Sequence, residues 1–136
     1  MCIRDRALGE ALACRSHSGD ILALVGDLGA GKTTLSQGIM RALGYDKEVT
    51  SPTFSLVQEY LGGRMDVFHF DFYRVESERE LLDLGWDDYV ERKGLIIVEW
   101  PTLFSKLLPL HTKWLHLSHS AGGRRVEEIH PPRENE

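Results

Sequence analysis

The sequence predicts an α/β domain in which helices cover both sides of a mostly parallel central sheet, with antiparallel hairpins added to it. Three observations predict this fold class. Two continuous apolar runs, residues 21–25 and 95–98, have the length and the turn-residue borders of strands that are covered on both faces. Segments with helical periodicity alternate with them, and glycine-linked pairs of strand-like runs indicate hairpins. Such an alternation is typical of a three-layer sandwich.

The N-terminal part of the chain is predicted to form a helix, a strand, a glycine-rich turn and a second helix. Residues 6–15 carry apolar side chains at helical spacing and predict a short amphipathic helix. The buried strand 21–25 follows and leads into the glycine-rich stretch 26–31. The second helix has Leu35, Ile39 and Leu43 on one face, and Gly44 ends it.

A hairpin is predicted in the middle of the chain, after a loop around Pro52. Its two strands are residues 54–60 and 65–72, and the pair of glycines between them is a turn signal. Side chains alternate between the two faces of a strand. The second strand therefore has three phenylalanines on one face, whereas His69 and Asp71 share the other face.

The C-terminal part is predicted to contain a helix, the second buried strand and another hairpin. Residues 81–90 have the periodicity of an amphipathic helix with a possible kink near Gly85. The buried strand 95–98 follows, and residues 114–118 and 124–129 are the expected strands of the C-terminal hairpin.

The domain boundaries follow from composition. The hexapeptide MCIRDR at residues 1–6 resembles a translated sequencing-adapter end, so we predict that it is a scar, with a genuine N-terminus as the alternative. Residues 7–129 are predicted to form a single domain, and the polar, proline-containing residues 130–136 a flexible tail.

Composition excludes several classes of protein. With 136 residues, of which 42% are apolar, the chain has enough material for one core, which argues against a disordered protein. No apolar run approaches the roughly 20 residues that cross a membrane, and two cysteines do not make a disulfide scaffold. We expect a cytoplasmic protein that is monomeric when alone. Its net charge of −5 argues against direct binding to nucleic-acid phosphates.

Residues 26–33, GDLGAGKT, match the phosphate-binding loop pattern G-x-x-x-x-G-K-[ST]. Glycines allow successive backbone N–H groups to point at phosphate oxygens, and the start of the following helix adds its own N–H groups and positive dipole end. The lysine of this motif reaches the β- and γ-phosphates, and the hydroxyl that follows it binds Mg²⁺. The predicted nucleotide contacts are Asp27, Leu28, Gly29, Ala30, Gly31, Lys32, Thr33 and Thr34.

Other motifs narrow the class of phosphate-loop protein. The guanine-reading N-K-x-D element of GTPases is missing, because the chain's single asparagine is Asn135 in the tail. A small-molecule kinase remains an alternative, although the single helical segment between residues 72 and 95 is short for a lid and an acceptor pocket. A module that binds ATP without hydrolysing it, and only senses it for a partner, is a second alternative.

Four motifs taken together resemble the TsaE family: GDLGAGKTT at 26–34, SPTF at 51–54, HFDFYR at 69–74 and VEWP at 98–101. The resemblance spans about residues 7–129. It implies a phosphate-loop ATPase that uses ATP and Mg²⁺ and is required for the threonylcarbamoyladenosine modification of tRNA. It also implies a heterodimer of TsaD and TsaB as the partner, with tRNA involved only through that complex. We expect slow hydrolysis by the isolated protein, because no arginine is securely assigned to the γ-phosphate, and stimulation by the partner.

Position and resemblance suggest further site residues. Glu99 follows a buried strand, where a Walker B acid would hold Mg²⁺ together with Thr33, and the resemblance also gives it the metal role. Asp71 ends another strand and is expected to orient the attacking water or to hold the ion through a water; the resemblance implies a catalytic part. A solvated acid at a strand end is the alternative for each. Catalytic parts are also predicted for Lys32 and Thr53, the latter as a γ-phosphate switch or simply a turn cap.

Three further residues are predicted near the nucleotide, and the role of Arg74 is left open. Trp100 follows the metal acid and is expected near the nucleotide, with partial core burial as the alternative. Gly123 and Arg124 resemble the family's turn beside the nucleoside, although a simple hairpin turn is the competing interpretation. Arg74 is assigned either to transition-state charge, to a partner contact or to the open surface.

Overall fold

The computed structural model describes residues 2–3, 5–26, 32–45, 56–120 and 123–130. The helices are α1 (Asp5–Arg15), α2 (Lys32–Ala42), α3 (Glu78–Leu84) and α4 (Trp86–Glu91), with short 3-10 helices at Phe72–Arg74 and Pro101–Leu107. The strands are β1 (Cys2–Ile3), β2 (Ile21–Gly26), β3 (Val57–Tyr60), β4 (Val67–Asp71), β5 (Leu95–Glu99), β6 (Lys113–Ser120) and β7 (Gly123–Ile129).

The described strands form one sheet in the order β1-β7-β6-β2-β5-β4-β3. Its four central strands, β6, β2, β5 and β4, are mutually parallel, whereas β3 at one edge and β7 and β1 at the other are antiparallel to their neighbours. The predicted combination of a parallel centre and antiparallel hairpins is therefore confirmed. Because β2, β4, β5 and β6 all run in one direction, their carboxyl ends meet at the same edge of the sheet.

Helices cover both faces of the sheet, which confirms the three-layer architecture. On one face α1 and α2 pack on Leu22, Leu24 and Ile97 in one hydrophobic cluster. On the other face α3, α4 and the 3-10 helices pack on the aromatic side of β4 in another cluster. The strands β2, β4 and β5 contribute residues of opposite faces to the two clusters, as strand geometry requires, whereas β6 contributes Leu115 and Leu117 to the first cluster.

A pair of glycines brings the first two helices close together. A Cβ atom at Gly9 would lie 2.6 Å from the carbonyl carbon of Gly38, so any larger residue at position 9 would separate α1 from α2. α2 begins at Lys32, inside the phosphate-loop motif, so the close contact joins α1 to the helix that follows the glycine-rich stretch.

The helical segment predicted at 81–90 is divided rather than kinked. Gly85 has φ +104°, a left-handed conformation, and its N–H bonds the carbonyl oxygens of Leu81 and Leu82. This is a standard way to end a helix. The same residue precedes α4, so one glycine both ends α3 and begins the next helix.

Two terminal features complete the fold. β1 pairs antiparallel with β7 inside the segment predicted to be a scar, and the origin of residues 1–6 stays a prediction. The predicted tail beyond residue 130 lies outside the described residues. In the part of the chain that the structure describes, no helix is long and apolar enough to cross a membrane.

Candidate functional site

The phosphate-loop motif lies between a strand and a helix, as its chemistry requires. β2 ends at Gly26 and α2 begins at Lys32, so the strand and helix borders match the sequence-based expectation. Residues 27–31 and Thr53 lie outside the described residues, as do the side chains of Lys32, Thr33 and Thr34. Their assignments stay predictions.

Two carboxylates lie side by side where β4 and β5 end. Asp71 and Glu99 are register partners in the parallel pair β4–β5, and Glu99 is also opposite Leu24 of β2. Both acids project from the face of the sheet that α1 and α2 cover, since they alternate with residues of the opposite cluster. Asp71 and Glu99, which were predicted from separate motifs, are thus neighbours. Glu99 lies on β5, the strand next to β2, close to the end of β2.

Asp71 is held by the turn that follows it. One of its carboxylate oxygens, Oδ1, accepts a hydrogen bond from the backbone N–H of Tyr73 at 3.0 Å and so caps the 3-10 helix. Its side chain is only 13% exposed, and Nε of the half-exposed Arg74 lies 4.0 Å from its other oxygen. Burial raises the pKa of Asp71 above its ordinary value, and the charge of Glu99 raises it further. The Tyr73 N–H and Arg74 act in the opposite direction.

Glu99 is buried and bonded to a histidine. Its Oε2 lies 2.6 Å from Nε2 of His69, and the two side chains are 7% and 1% exposed. His69 lies on β4 two residues before Asp71, on the same face. A buried carboxylate is tolerated only when hydrogen bonds or opposite charges compensate for its lost hydration. His69 provides one such bond.

The backbone turns sharply after Glu99. Trp100 has φ 60° and ψ 44°, and it is the one non-glycine residue with positive φ in the described part of the chain. A bulky residue rarely adopts this conformation, which often accompanies functional sites. Its half-buried ring packs against the cluster on the α3 and α4 side and lies 5.1 Å from the ring of Tyr73. Trp100 therefore follows Glu99 directly in the chain, while its ring is partly in the core on the α3 and α4 side.

The C-terminal hairpin reaches the same edge of the sheet. β6 runs parallel to β2, with Leu117 opposite Gly26, and continues to Ser120 before β7 returns from Gly123. The backbone of Gly123 and Arg124 thus lies at the edge that also contains Gly26 and Glu99, while the Arg124 side chain lies outside the described residues. The predicted nucleoside contact stays a prediction.

The donor set suits a hard divalent cation. Mg²⁺ is bound in proteins through one or two carboxylates, with phosphates and water completing an all-oxygen shell. Asp71 and Glu99 offer two neighbouring carboxylates, and the motif threonine would add a hydroxyl oxygen. Glu99 has hydrogen-bonding or electrostatic contacts beyond the one with His69. The residues present are therefore chemically appropriate for magnesium.

The sequence did not predict the hydrogen bond between His69 and Glu99. The alternation of residues 68–72 already placed His69 on the face of Asp71. What the sequence did not contain was the strand order that sets β4 directly beside β5 and brings Glu99 within hydrogen-bonding distance.

Comparisons with known proteins agree on one family. The family model "Threonylcarbamoyl adenosine biosynthesis protein TsaE" matches residues 4–126. The tRNA threonylcarbamoyladenosine biosynthesis protein TsaE of Bacillus subtilis is 43% identical over 76% of this chain and 65% of its own length. The proteins of the same name from Nostoc and Treponema pallidum are 41% and 36% identical, over 68% and 80% of this chain and 57% and 80% of theirs.

A solved structure supports the same grouping. The crystal structure of Bacillus subtilis YdiB superimposes with a TM-score of 0.71 at 32% identity, and the match covers 90% of this chain and 74% of that one. The chain spans less than two thirds of the length of the Bacillus and Nostoc relatives.

Proposed function

The chain belongs to the TsaE family, and on this basis we propose that it is a magnesium-dependent ATPase that serves the threonylcarbamoyladenosine modification of tRNA. In this proposal the protein does not modify tRNA itself. It acts in the cytoplasm on a complex of TsaD and TsaB, whose repeated turnover depends on the nucleotide cycle of this subunit.

The observation that carries the proposal is the adjacency of Asp71 and Glu99 beside the end of β2. In open α/β sheets, ligands bind at the carboxyl ends of the strands. Gly26, the first residue of the phosphate-binding motif, ends β2 at the same edge as the two carboxylates, and α2 begins at Lys32 of that motif. Phosphoryl transfer by a phosphate-loop ATPase needs these parts: a cradle for the phosphates, an acid for the ion and a group that orients water.

Each residue then has one task in hydrolysis. The backbone of 26–31 and the Lys32 side chain bind the phosphates, while Thr33 and Glu99 would hold Mg²⁺. When bound, Mg²⁺ neutralises negative charge on the phosphate oxygens. Asp71 accepts a hydrogen bond from the attacking water and orients it, and Thr53 responds to the γ-phosphate.

Hydrolysis by the isolated subunit is expected to be slow. Arg74 lies against Asp71 but is 51% exposed, so packing does not hold its guanidinium in one position. An arginine supplied in trans by a partner accelerates phosphoryl transfer in other phosphate-loop enzymes by about 10³–10⁵-fold. We therefore expect the TsaD–TsaB pair to complete the site.

The test measures ATP hydrolysis by wild-type protein and Glu99→Gln, each alone and with the TsaD–TsaB pair. Glutamine keeps the shape of the side chain but removes the negative charge that binds the ion, so turnover with partners should fall on the order of a hundredfold. Equal turnover of the wild type with and without the pair would contradict the partner-dependent ATPase.

The same variant separates the alternative of a nucleotide sensor. If Glu99→Gln abolishes hydrolysis but still supports tRNA modification by the reconstituted complex, ATP binding alone drives the partner cycle. A phosphorylated small molecule formed from ATP would instead indicate a kinase.

A further inference from the structure

The hydrogen bond between His69 and Glu99 is a deeply buried polar contact next to the acidic pair. Nε2 of the histidine lies 2.6 Å from Oε2 of the glutamate, and both side chains are almost completely shielded from water. The bond joins β4 to β5 next to the sheet edge where Asp71 and Glu99 lie. His69 is therefore bonded to the acid that is assigned to the metal ion.

The surroundings of the ring indicate which nitrogen carries the proton. Nδ1 of His69 is buried and has no hydrogen-bond partner in the described part of the chain. A buried N–H without an acceptor is rare, because the lost bond to water is not replaced. The proton therefore belongs on Nε2, which donates to Oε2 of the Glu99 carboxylate, while Nδ1 retains its lone pair.

This arrangement does more than fill space. A carboxylate can rotate about its terminal torsion, which is broad and has no sharp staggered minima. A short, charge-assisted hydrogen bond from a ring fixed in the core removes that freedom. In metal sites, ligating carboxylates are commonly held in this way, and loss of the outer partner lowers metal affinity about 10–100-fold.

We propose that His69 is a positioning residue that orients the Glu99 carboxylate for the divalent cation through its Nε2–H group. The inference rests on the proposed function, because it requires Glu99 to hold the ion. His69 itself contacts neither nucleotide nor metal in this role. The alternative is that His69 is simply a buried side chain whose loss affects stability alone.

The test compares the affinity of each variant for a non-hydrolysable ATP analogue, by calorimetry, in excess Mg²⁺ and in EDTA. The ratio of the two affinities is the metal-dependent gain, and it does not depend on catalysis. For His69→Phe, which keeps an aromatic ring but lacks the donor, the gain should fall about 10–100-fold while the affinity in EDTA stays unchanged. For His69→Gln, whose amide N–H can take the place of Nε2–H, most of the gain should return.

Val67→Ala is the matched control for stability. Val67 is fully buried on the same strand and face as His69 but touches neither acid through a hydrogen bond given by the structure. It should lower the unfolding temperature without changing the metal-dependent gain. If His69→Phe does not fold, as judged by circular dichroism, His69→Asn replaces it, since the shorter amide does not reach Oε2.

The outcomes separate the two hypotheses. A wild type that shows a metal-dependent gain, together with a His69→Phe variant that keeps it in full, would overturn the role of His69 and leave the proposed function standing. A wild type that binds no ATP analogue in either condition would overturn the proposed function and this inference with it. Loss of the gain in His69→Phe and its return in His69→Gln support the positioning role.

Discussion

The two faces of β4 differ sharply in chemistry, although they are built from five consecutive residues. One face carries Phe68 and Phe70, followed by Phe72 just beyond the strand, and all three are buried. The other carries His69, which bonds Glu99 at the end of β5, and Asp71, the register partner of Glu99. The aromatic face packs against α3 and α4, whereas the polar face is directed to the side of the sheet that α1 and α2 cover.

The aromatic face is held by many edge-to-face ring contacts. The centroid of the Phe70 ring lies 4.9 Å from that of Trp86 and 5.2 Å from that of Tyr89, at steep interplanar angles. Trp86 also donates its indole N–H to the carbonyl of Leu107 at 2.9 Å, so its one polar atom is satisfied. Such contacts stabilise the fold and contribute no reactive group.

In β4, the phenylalanines that stabilise the fold and the polar residues that carry the chemistry lie on opposite faces of one short strand. Since successive side chains point to opposite faces, a rigid apolar layer on one side fixes the positions of polar groups on the other. Substitutions of the three phenylalanines should therefore change the free energy of unfolding, whereas substitutions of His69 and Asp71 should change ion and nucleotide chemistry.

Phe70→Ala should lower the free energy of unfolding by removing a ring from the aromatic face. Removing a fully buried phenyl ring costs about 3–5 kcal/mol through lost transfer free energy and the cavity left behind. Urea denaturation followed by circular dichroism measures the loss, and the milder Phe70→Leu keeps the measurement possible if the alanine variant does not fold. Leu110→Ala, at a fully exposed position, is the control and should change stability by less than about 0.5 kcal/mol. A Phe70→Ala variant as stable as that control would contradict the assigned role.

Gly85→Ala should destabilise the junction of α3 and α4, the helices that cover the aromatic face, without removing any of their packing contacts. A Cβ atom at this position would meet nothing closer than 3.9 Å, so the expected penalty is that of holding alanine at φ +104°. A left-handed L-residue costs roughly 1–2 kcal/mol. Thermal unfolding of Gly85→Ala and of Leu84→Ala, an exposed position in the preceding turn, isolates the backbone effect. An unchanged midpoint would show that the boundary between α3 and α4 does not need glycine.

Asp71→Asn addresses the polar face and gives the smallest effect on stability. Burial raises the pKa of Asp71, so its ionised form destabilises the folded protein at neutral pH. Asparagine keeps an oxygen acceptor for the Tyr73 N–H and carries no charge. In EDTA the variant should melt above the wild type at pH 7. The difference should shrink as the pH falls toward about 4, because Asp71 then becomes protonated in the wild type as well.

The control for this prediction is Asp83→Asn, on the exposed surface of α3. It should change the unfolding temperature little at either pH. A variant Asp71→Asn that melts below the wild type at pH 7 would show that the carboxylate stabilises the free protein, against the direction of its raised pKa.

Much of the fold was predictable because it follows from local sequence patterns. The continuous apolar runs indicated β2 and β5, and the glycine pairs indicated both hairpins. The sequence predicted a kink at Gly85, whereas the structure has two separate helices there. Periodicity does not distinguish the two cases, because the apolar spacing is nearly the same on both sides of one left-handed residue. The contact of Gly9 with Gly38 was not predicted, because it joins helices that are distant in sequence.

The candidate site was predictable in its parts and less so in its assembly. Motif chemistry named Asp71 and Glu99 as strand-end acids, and the structure makes them register partners. The motifs did not indicate that His69 bonds Glu99 or that Trp100 would take a left-handed backbone conformation. Both features depend on which strands are neighbours and on how the chain leaves β5.

Residue type and spacing alone establish the family, the phosphate-binding motif and the alternation that separates the phenylalanines of β4 from His69 and Asp71. The position of β4 beside β5, and with it the bond from a buried histidine to the acid of the neighbouring strand, became known only from the folded chain. Strand order is settled by the packing of whole layers, in which long-range contacts between α1, α2 and the sheet compete with many alternatives that local sequence does not distinguish.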